Sequence, residues 1–299
     1  MTVFDHLPAH ERPDLLRFCG YTATLSEAEY VVFGAPFDST SSFRPGSRFA
    51  PAEMRRDSWG LETWSPQLKR DLEDRRVHDA GDLELPFGET GEALRMVQQI
   101  CAAILQAEKT PIMLGGEHTL SLGAVRAAIE AYPDLHLLHF DAHTDLRPDY
   151  LGVEYSHASV IRRCYDLLGK KRIHSLGIRS GLAEEFAFAE ENLDFHPFDL
   201  SGLNAAMELI GSAPVYVSLD LDVLDPSVMP GTGTAEPGGV SYQEMLKAIY
   251  QLEGLNIVGC ALSACPPRCR PMRTAAPLVP LSAAPCRRKA SRSFTTATS

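Results

Sequence analysis

Short apolar runs alternate with segments of helical length through most of this 299-residue chain. The apolar runs predict strands at residues 30–35, 112–114, 135–140, 172–177 and 215–219. Amphipathic spacing predicts helices at residues 90–108, 120–131 and 243–252. Because strands separated by helices form βαβ units, we expect an α/β fold with a mainly parallel sheet covered on both faces. No repeat or linker interrupts residues 1–260, which we interpret as one domain.

Residues with metal-binding side chains follow three of these predicted strands. They are His118, Asp141, His143, Asp145, Asp220 and Asp222. Parallel sheets bind ligands beyond the carboxyl ends of their strands, which is where all six are expected to lie. Alternate side chains of an extended backbone share a face, so those within 141–145 and within 220–222 should point the same way. His139, inside a strand, is interpreted as a packed core residue, and Asp225 as the start of a turn.

Four carboxylates and two imidazoles in one crevice predict a metal centre. Four negative charges in a site of low dielectric constant repel one another strongly unless cations neutralise them. One divalent ion would have more ligands than it needs, whereas two ions that share bridging carboxylates match the set. Oxygen-rich ligands with two histidines and no thiolate favour a hard ion such as manganese over structural zinc. Two such ions can activate water for attack on a carbon centre.

Composition and charge exclude several classes of protein. The net charge of −11 argues against nucleic acid as a partner. No apolar stretch reaches the roughly 18 residues that span a membrane, and the N-terminus lacks the pattern of a signal peptide. The seven cysteines are an odd number without paired spacing, which argues against a disulfide framework. We therefore expect a cytoplasmic protein that acts on a small molecule.

Residues 261–299 differ from the rest of the chain in composition. They contain seven basic residues and no Asp or Glu, which leaves 21 basic against 39 acidic residues in 1–260. They also contain six prolines and three cysteines, without a helical or strand period. We expect this basic tail to be irregular. Our hypothesis is that a shifted reading frame in a GC-rich gene produced it.

Three motifs resemble the signature motifs of the arginase–agmatinase (ureohydrolase) family: Gly115–His118, Asp141–Asp145 and Ser218–Pro226. The likeness runs from about Val31 to Gly259. It implies a three-layer α/β/α fold around a mainly parallel sheet of about eight strands. It also implies two Mn²⁺ ions per subunit and assembly into trimers or hexamers.

The resemblance also implies a role for each predicted site residue. His118 and Asp145 would hold one ion, His143 and Asp222 the other, and Asp141 and Asp220 would bridge both. The implied reaction is attack of a hydroxide held between the ions on a guanidinium carbon, which releases urea and an amine. Asp145 would accept the hydroxide proton and pass it to the leaving nitrogen. His157 resembles the family's mobile-loop histidine, which shuttles protons or orients the substrate.

The expected substrate is agmatine, a small cation that is hydrolysed to putrescine and urea in polyamine biosynthesis. Phe43–Pro51 and Asp79–Asp82 resemble the agmatinase branch of the family. Arginases bind the carboxylate of their substrate through an Asn that Leu146–Gly152 lacks. Guanidinobutyrate stays open as a substrate because Arg147 could meet a carboxylate, and an arginase remains the other ureohydrolase alternative.

The chain departs from the family pattern after Gly259. The family continues with a strand that ends in a glutamate, which holds the guanidinium of the substrate. In register this glutamate falls at Ala264, so no substrate-binding residue is assigned. Because a charge-assisted contact is missing, we predict weak or no activity. A catalytically impaired homologue that acts as a binding partner is one alternative. A one-metal zinc deacetylase relative is another, which the complete ligand set opposes.

Overall fold

A computed structural model describes residues 16–263 of the chain. Its strands are β1 (Tyr30–Ala35), β2 (Trp64–Ser65), β3 (Arg70–Asp71), β4 (Val77–Asp82), β5 (Thr110–Gly115), β6 (His136–Phe140), β7 (Ile173–Leu176), β8 (Asp194–His196), β9 (Pro214–Asp220) and β10 (Asn256–Ser263). Eight of them form one sheet in the order β4-β1-β5-β10-β9-β6-β7-β8, and every neighbouring pair is parallel. The short strands β2 and β3 form a separate antiparallel pair.

Helices cover both faces of the sheet. They are α1 (Ala50–Ser58), α2 (Thr90–Gln106), α3 (Ser121–Ala131), α4 (Val160–Leu168), α5 (Ala183–Asn192), α6 (Leu203–Ile210) and α7 (Tyr242–Gln251). Apolar residues of α1, α6 and α7 belong to one buried core, and those of α2, α3, α4 and α5 to a second. Within β9, Val217 belongs to the first core and Tyr216 to the second, as strand alternation requires. The predicted three-layer α/β/α fold is confirmed.

Every strand and helix predicted from the sequence is present, and each observed end lies within two residues of the predicted one. Several short elements were not predicted, among them β4, α1, α5 and α6. The sequence of β4, Val-His-Asp-Ala-Gly-Asp, resembles a turn because Asp and Gly are depleted in strands. It nevertheless pairs with β1 at the edge of the sheet, where a strand has one neighbour and the choice of residue types is least restricted.

β10 is a central strand, and it extends into the segment 261–299 that was predicted to be irregular. It runs between β5 and β9 and continues to Ser263, although residues from 261 onward were expected to be irregular. That expectation is wrong for residues 261–263, which are buried and paired with β9. Their small and apolar side chains fit between two neighbouring strands, which composition alone did not indicate. Residues 264–299 lie outside the described residues.

The part of the chain that the structure describes contains no helix that is both long enough and apolar enough to span a lipid bilayer.

Candidate metal centre

The predicted metal ligands lie at the carboxyl ends of β5, β6 and β9. His118 begins a 3₁₀ turn after β5, Asp141 directly follows β6, and Asp220 is the last residue of β9. These ends are close together because β5 and β9 flank β10, and β6 pairs with β9. One cavity of about 320 Å³ opens there. Its lining includes His118, Asp141, His143, Asp145, Asp220 and Asp222.

The expected alternation along extended strands is wrong for both ligand segments. β6 ends at Phe140, so 141–145 is a loop, and Asp145 has a φ of 50° in the left-handed region. Aspartate tolerates this region better than most residues. Asp222 lies in a 3₁₀ turn, and its N–H donates to Oδ1 of Asp220 at 3.0 Å. The ligands therefore converge through loop geometry rather than through a shared strand face.

Two glycines bring His118 to the site. A Cβ on Gly116 would lie 1.9 Å from the carbonyl oxygen of Phe37, and one on Gly115 would lie 2.7 Å from that of Leu262. The backbone of Gly116 can approach this closely only because it carries no side chain. Its N–H donates to the carbonyl of Ala35 at 2.9 Å. The loop after β5 is thereby held against β1 and β10.

The possible ligand atoms form two groups that share Asp141. Those of Asp141, His143 and Asp222 lie within 4.8 Å of one another, as do those of Asp141, His118 and His139. Nδ1 of His143 is 3.0 Å from Oδ2 of Asp222 and 3.5 Å from Oδ1 of Asp141. The first group consists of three predicted ligands, whereas the second includes His139, which was interpreted as a core residue.

The ring of His118 is oriented for ligation. Its Nε2 lies 2.8 Å from Oγ of Ser218, whose own proton is donated to Oγ of Ser121 at 3.2 Å. Ser218 therefore accepts, and Nε2 of His118 donates. Burial opposes the charged form of His118, but Asp141 and Asp145 raise the pKa of this ring well above its usual value, and Nδ1 lies 2.9 Å from Oδ2 of Asp145 and 3.0 Å from Oδ2 of Asp141. A cation bound here would take the place of the proton that Nδ1 shares with these two carboxylates.

The pKa values of the cluster are shifted in the direction that favours bound positive charge. Burial, together with Asp222 and Asp141, raises the pKa of Asp220 well above its usual value. Burial and Asp141 raise the pKa of Asp145 to about 7. Burial opposes the charged form of His143, but Asp222 and Asp141 raise the pKa of this ring to about 12. The crowded carboxylates hold protons tightly, and divalent cations would meet the same need.

His139 was interpreted as a core residue, and its ring is fully buried. Burial lowers the pKa of His139, so the ring is neutral and has one N–H. Its Nε2 lies 3.0 Å from Oδ2 of Asp141, and its Nδ1 lies 3.1 Å from Oγ of Ser175. His139 therefore both fills the core and fixes the orientation of Asp141.

His157 lines the same cavity as the six predicted ligands. Its Nδ1 lies 3.3 Å from Oγ1 of Thr40, and its Nε2 lies 3.3 Å from Oγ of Ser42. The ring of Tyr150 packs edge-on against it, with the two centroids 5.6 Å apart. Burial lowers the pKa of His157, which favours the neutral ring that can accept a proton.

Sequence reasoning missed three residues that border the site. Glu185 of α5 and Glu236 line the cavity, and no motif marked the first of them. Glu236 lies in the segment 231–239, which resembles a loop of the family except that Ala235 stands where Pro is usual, but no role was assigned to Glu236. Ser263, at the end of β10, donates to Oδ2 of Asp220 at 3.1 Å. Ala264, where the family glutamate would fall, lies outside the described residues.

The two segments that resemble the agmatinase branch make structural contacts. Arg48 donates to Asp38 through Nε at 2.5 Å, which closes the turn before α1. Arg55 is buried and forms ion pairs with Asp79, at 2.8 Å, and with Asp82. These contacts tie α1 to β4.

Comparison with known proteins agrees with this geometry. Residues 28–281 match the model of the arginase family. An agmatinase from Bacillus cereus is 44% identical over 243 residues, which are 80% of this chain and 84% of that protein. A human mitochondrial guanidino acid hydrolase is 32% identical over 250 residues, 77% of this chain and 69% of that protein. The solved structure of the agmatine ureohydrolase of Thermoplasma volcanium is 36% identical in sequence and matches this fold with a TM-score of 0.82. The match covers 90% of this chain and 94% of that chain. The chain belongs to the arginase family of ureohydrolases.

Proposed function

We propose that this protein converts agmatine and water into putrescine and urea, using two manganese ions per subunit. The observation that carries the proposal is the set of four aspartates and two histidines that line one acidic cavity, in which Asp141 lies beside both His118 and His143. Relatives named agmatinase and agmatine ureohydrolase support this choice of substrate.

The residues of the cavity fit a pair of metal ions. His118 and Asp145 would hold one ion, His143 and Asp222 the other, and Asp141 and Asp220 would lie between them. When bound, two divalent ions supply Lewis acidity and lower the pKa of a water molecule. The inward-facing Nδ1 of His118 is already the nitrogen that ligation needs.

Two side chains would handle the protons of the reaction. Asp145 lies among the predicted ligands, where its carboxylate would accept a proton and release it to the leaving nitrogen. His157 lies on the cavity wall, with Nε2 next to the hydroxyl of Ser42. It would take up or orient a proton on the amine side of the substrate.

The charge of the cavity favours a cationic substrate. Seven carboxylates and two arginines, Arg44 and Arg147, contribute to its lining. Arg147 is already engaged, because its Nε lies 3.8 Å from Glu185 and its guanidinium stacks on Tyr150 at 4.7 Å. An arginine held in this way is a poor partner for the carboxylate of guanidinobutyrate. Agmatine, which has no carboxylate, suits this lining better.

The direct test is urea release from agmatine, guanidinobutyrate and arginine by the full chain with added manganese. We expect the largest kcat/KM for agmatine, because of the three compounds only agmatine has two positive charges and no carboxylate. Faster hydrolysis of guanidinobutyrate would contradict the choice of substrate. Urea release that does not depend on a divalent metal would contradict the proposed chemistry.

The altered tail supports a second candidate function, that of a catalytically impaired homologue. No Asp or Glu follows Glu253, so the glutamate that the family uses to hold the guanidinium has no counterpart at Ala264. This position lies within the family match, which extends to residue 281. We propose that 1–260 supplies the catalytic domain and that the substituted tail weakens substrate binding.

Restoring the missing carboxylate should raise activity. We expect Ala264→Glu to increase kcat/KM for agmatine roughly 10- to 100-fold, because a charge-assisted hydrogen bond contributes about 1.5–3 kcal/mol. Ala264→Gln, which has the same shape without the charge, is the matched control and should have little effect. Equal rates for the two variants would show that the tail does not limit activity through this residue.

A further inference from the structure

A hydrogen-bonded chain links Glu117, Thr40 and His157 beside the cavity. Glu117 is only 4% exposed and follows Gly116 in the loop after β5. Its Oε1 accepts the hydroxyl of Thr40 at 2.7 Å, and its Oε2 accepts the backbone N–H of Thr40 at 3.0 Å. Oγ1 of Thr40 accepts the backbone N–H of His157 at 3.1 Å and lies 3.3 Å from Nδ1 of its ring. The chain thus joins the loop after β1 to the turn before α4.

The direction of these hydrogen bonds determines where the ring carries its proton. The hydroxyl of Thr40 has a single proton, and Glu117 accepts it. Oγ1 of Thr40 is then an acceptor toward His157, as it already is for the backbone N–H. As long as Glu117 is ionised and accepts this proton, Nδ1 is the protonated nitrogen of the ring; burial raises the pKa of Glu117, and the hydrogen bonds from Thr40 oppose this. Nε2 keeps its lone pair, 3.3 Å from the hydroxyl of Ser42, which also lines the cavity.

We propose that Thr40, anchored by Glu117, is a positioning residue that holds His157 as the Nδ1-protonated tautomer, with Nε2 free to accept a proton at the cavity. The inference deepens the proposed ureohydrolase function and rests on it. Only an unprotonated nitrogen on the cavity side can take up a proton from the reaction. The opposite tautomer of a neutral ring would present an N–H there and could not accept.

A second hydroxyl defines the competing arrangement. Oγ1 of Thr119 lies 3.4 Å from Oγ1 of Thr40, and Thr119 is buried. If Thr119 donated to Thr40, the proton of Thr40 could point at Nδ1 of His157 instead of at Glu117. The ring would then carry its proton on Nε2. The two arrangements differ in one observable, the tautomer of His157.

The test compares Thr40→Val, which keeps the shape but removes the hydroxyl, with Thr40→Ser, which keeps the hydroxyl. The full chain is labelled with nitrogen-15 histidine and supplied with Mg²⁺, a diamagnetic ion that does not broaden the signals. The imidazole nitrogens of His157 are assigned by their loss in His157→Asn. We expect a protonated Nδ1 in the parent chain and in Thr40→Ser, and loss of this preference in Thr40→Val. A protonated Nε2 in the parent chain, or one tautomer shared by both Thr40 variants, overturns the proposal.

Urea release with manganese separates this inference from the proposed function. We expect Thr40→Val to lower kcat for agmatine about tenfold with little change in KM, and Thr40→Ser to recover most of the loss. If the parent chain has the expected tautomer but releases no urea, the proposed function fails and the positioning of the ring stands. If Thr40→Val changes the tautomer without lowering kcat, the positioning role assigned to Thr40 is wrong.

Discussion

Replacing Asp141 by asparagine is expected to abolish metal binding and to lower urea release by at least about a thousandfold, since paired metal ions contribute several kcal/mol to such reactions. Asp141 belongs to both groups of possible ligand atoms. Its Oδ2 lies 3.0 Å from Nδ1 of His118, and its Oδ1 accepts the backbone N–H of His143 at 2.6 Å. Asparagine has no charge and keeps only one ligand oxygen, so it cannot serve two ions, and Asp141→Asn should affect both groups at once.

Two measurements check this prediction. Metal content per chain after dialysis against manganese should fall from two ions toward zero in Asp141→Asn, and urea release from agmatine should fall with it. Glu253→Gln is the control, because Glu253 forms only an exposed ion pair with Arg70. Retention of two ions by Asp141→Asn would show that Asp141 does not link the two halves of the site.

The largest effect on stability is expected at Arg55. Its guanidinium is 3% exposed and donates to Asp79 through Nε at 2.8 Å and through Nη2 at 2.9 Å. Asp79 also accepts the backbone N–H of Phe18 at 2.7 Å, so the pair holds the N-terminal segment against β4. Arg55→Met would leave a buried carboxylate without its cation. We expect the free energy of unfolding to fall by about 3–5 kcal/mol.

Urea denaturation of Arg55→Met and Arg56→Met checks this value. Arg56 lies on the same helix and pairs with Glu53 at the surface, where an ion pair contributes about 0–1 kcal/mol. Equal losses in the two variants would contradict the importance of the buried pair.

The loss in Arg55→Met should also depend on pH. Burial opposes ionisation of Asp79, but the hydrogen bonds and charge of Arg55 hold the pKa of Asp79 below its usual value. A group with a depressed pKa stabilises the fold above its unfolded pKa and loses this contribution as the pH falls through its folded pKa. The penalty of Arg55→Met should therefore be full near neutral pH and shrink below about pH 4.

The sequence predicted the fold and the clustering of the six candidate ligands in one cavity, but not the path of the backbone between them. Apolar runs identified the central strands because burial on both faces demands apolar residues. Strand periodicity could not indicate that 141–145 leaves the strand, since the left-handed φ of Asp145 depends on contacts far along the chain. Ile161 and Arg162 supply those contacts through their N–H groups.

The surroundings of the ligands were the hardest part to predict. Glu185 belongs to α5, a helix without a clear amphipathic pattern, and only the fold brings it to the cavity. The contact between Glu117 and Thr40 joins residues 77 positions apart, which no local pattern could indicate. The side chains that border a site are determined by contacts with residues distant in sequence, so no local pattern predicts them. The candidate ligands could be predicted because Asp and His residues that follow strands are recognisable in the sequence.

The position of β10 has a consequence for how the protein is made. The ribosome synthesises the strands in chain order, so β10 emerges after both β5 and β9. It then inserts between these two strands. Before it emerges, His118 belongs to one nascent sheet and Asp220 to another, with no strand common to both. Each half alone offers an incomplete set of ligands. Metal loading should therefore follow translation through residue 263 rather than accompany it, and a nascent chain stalled earlier would carry two separate half-sites.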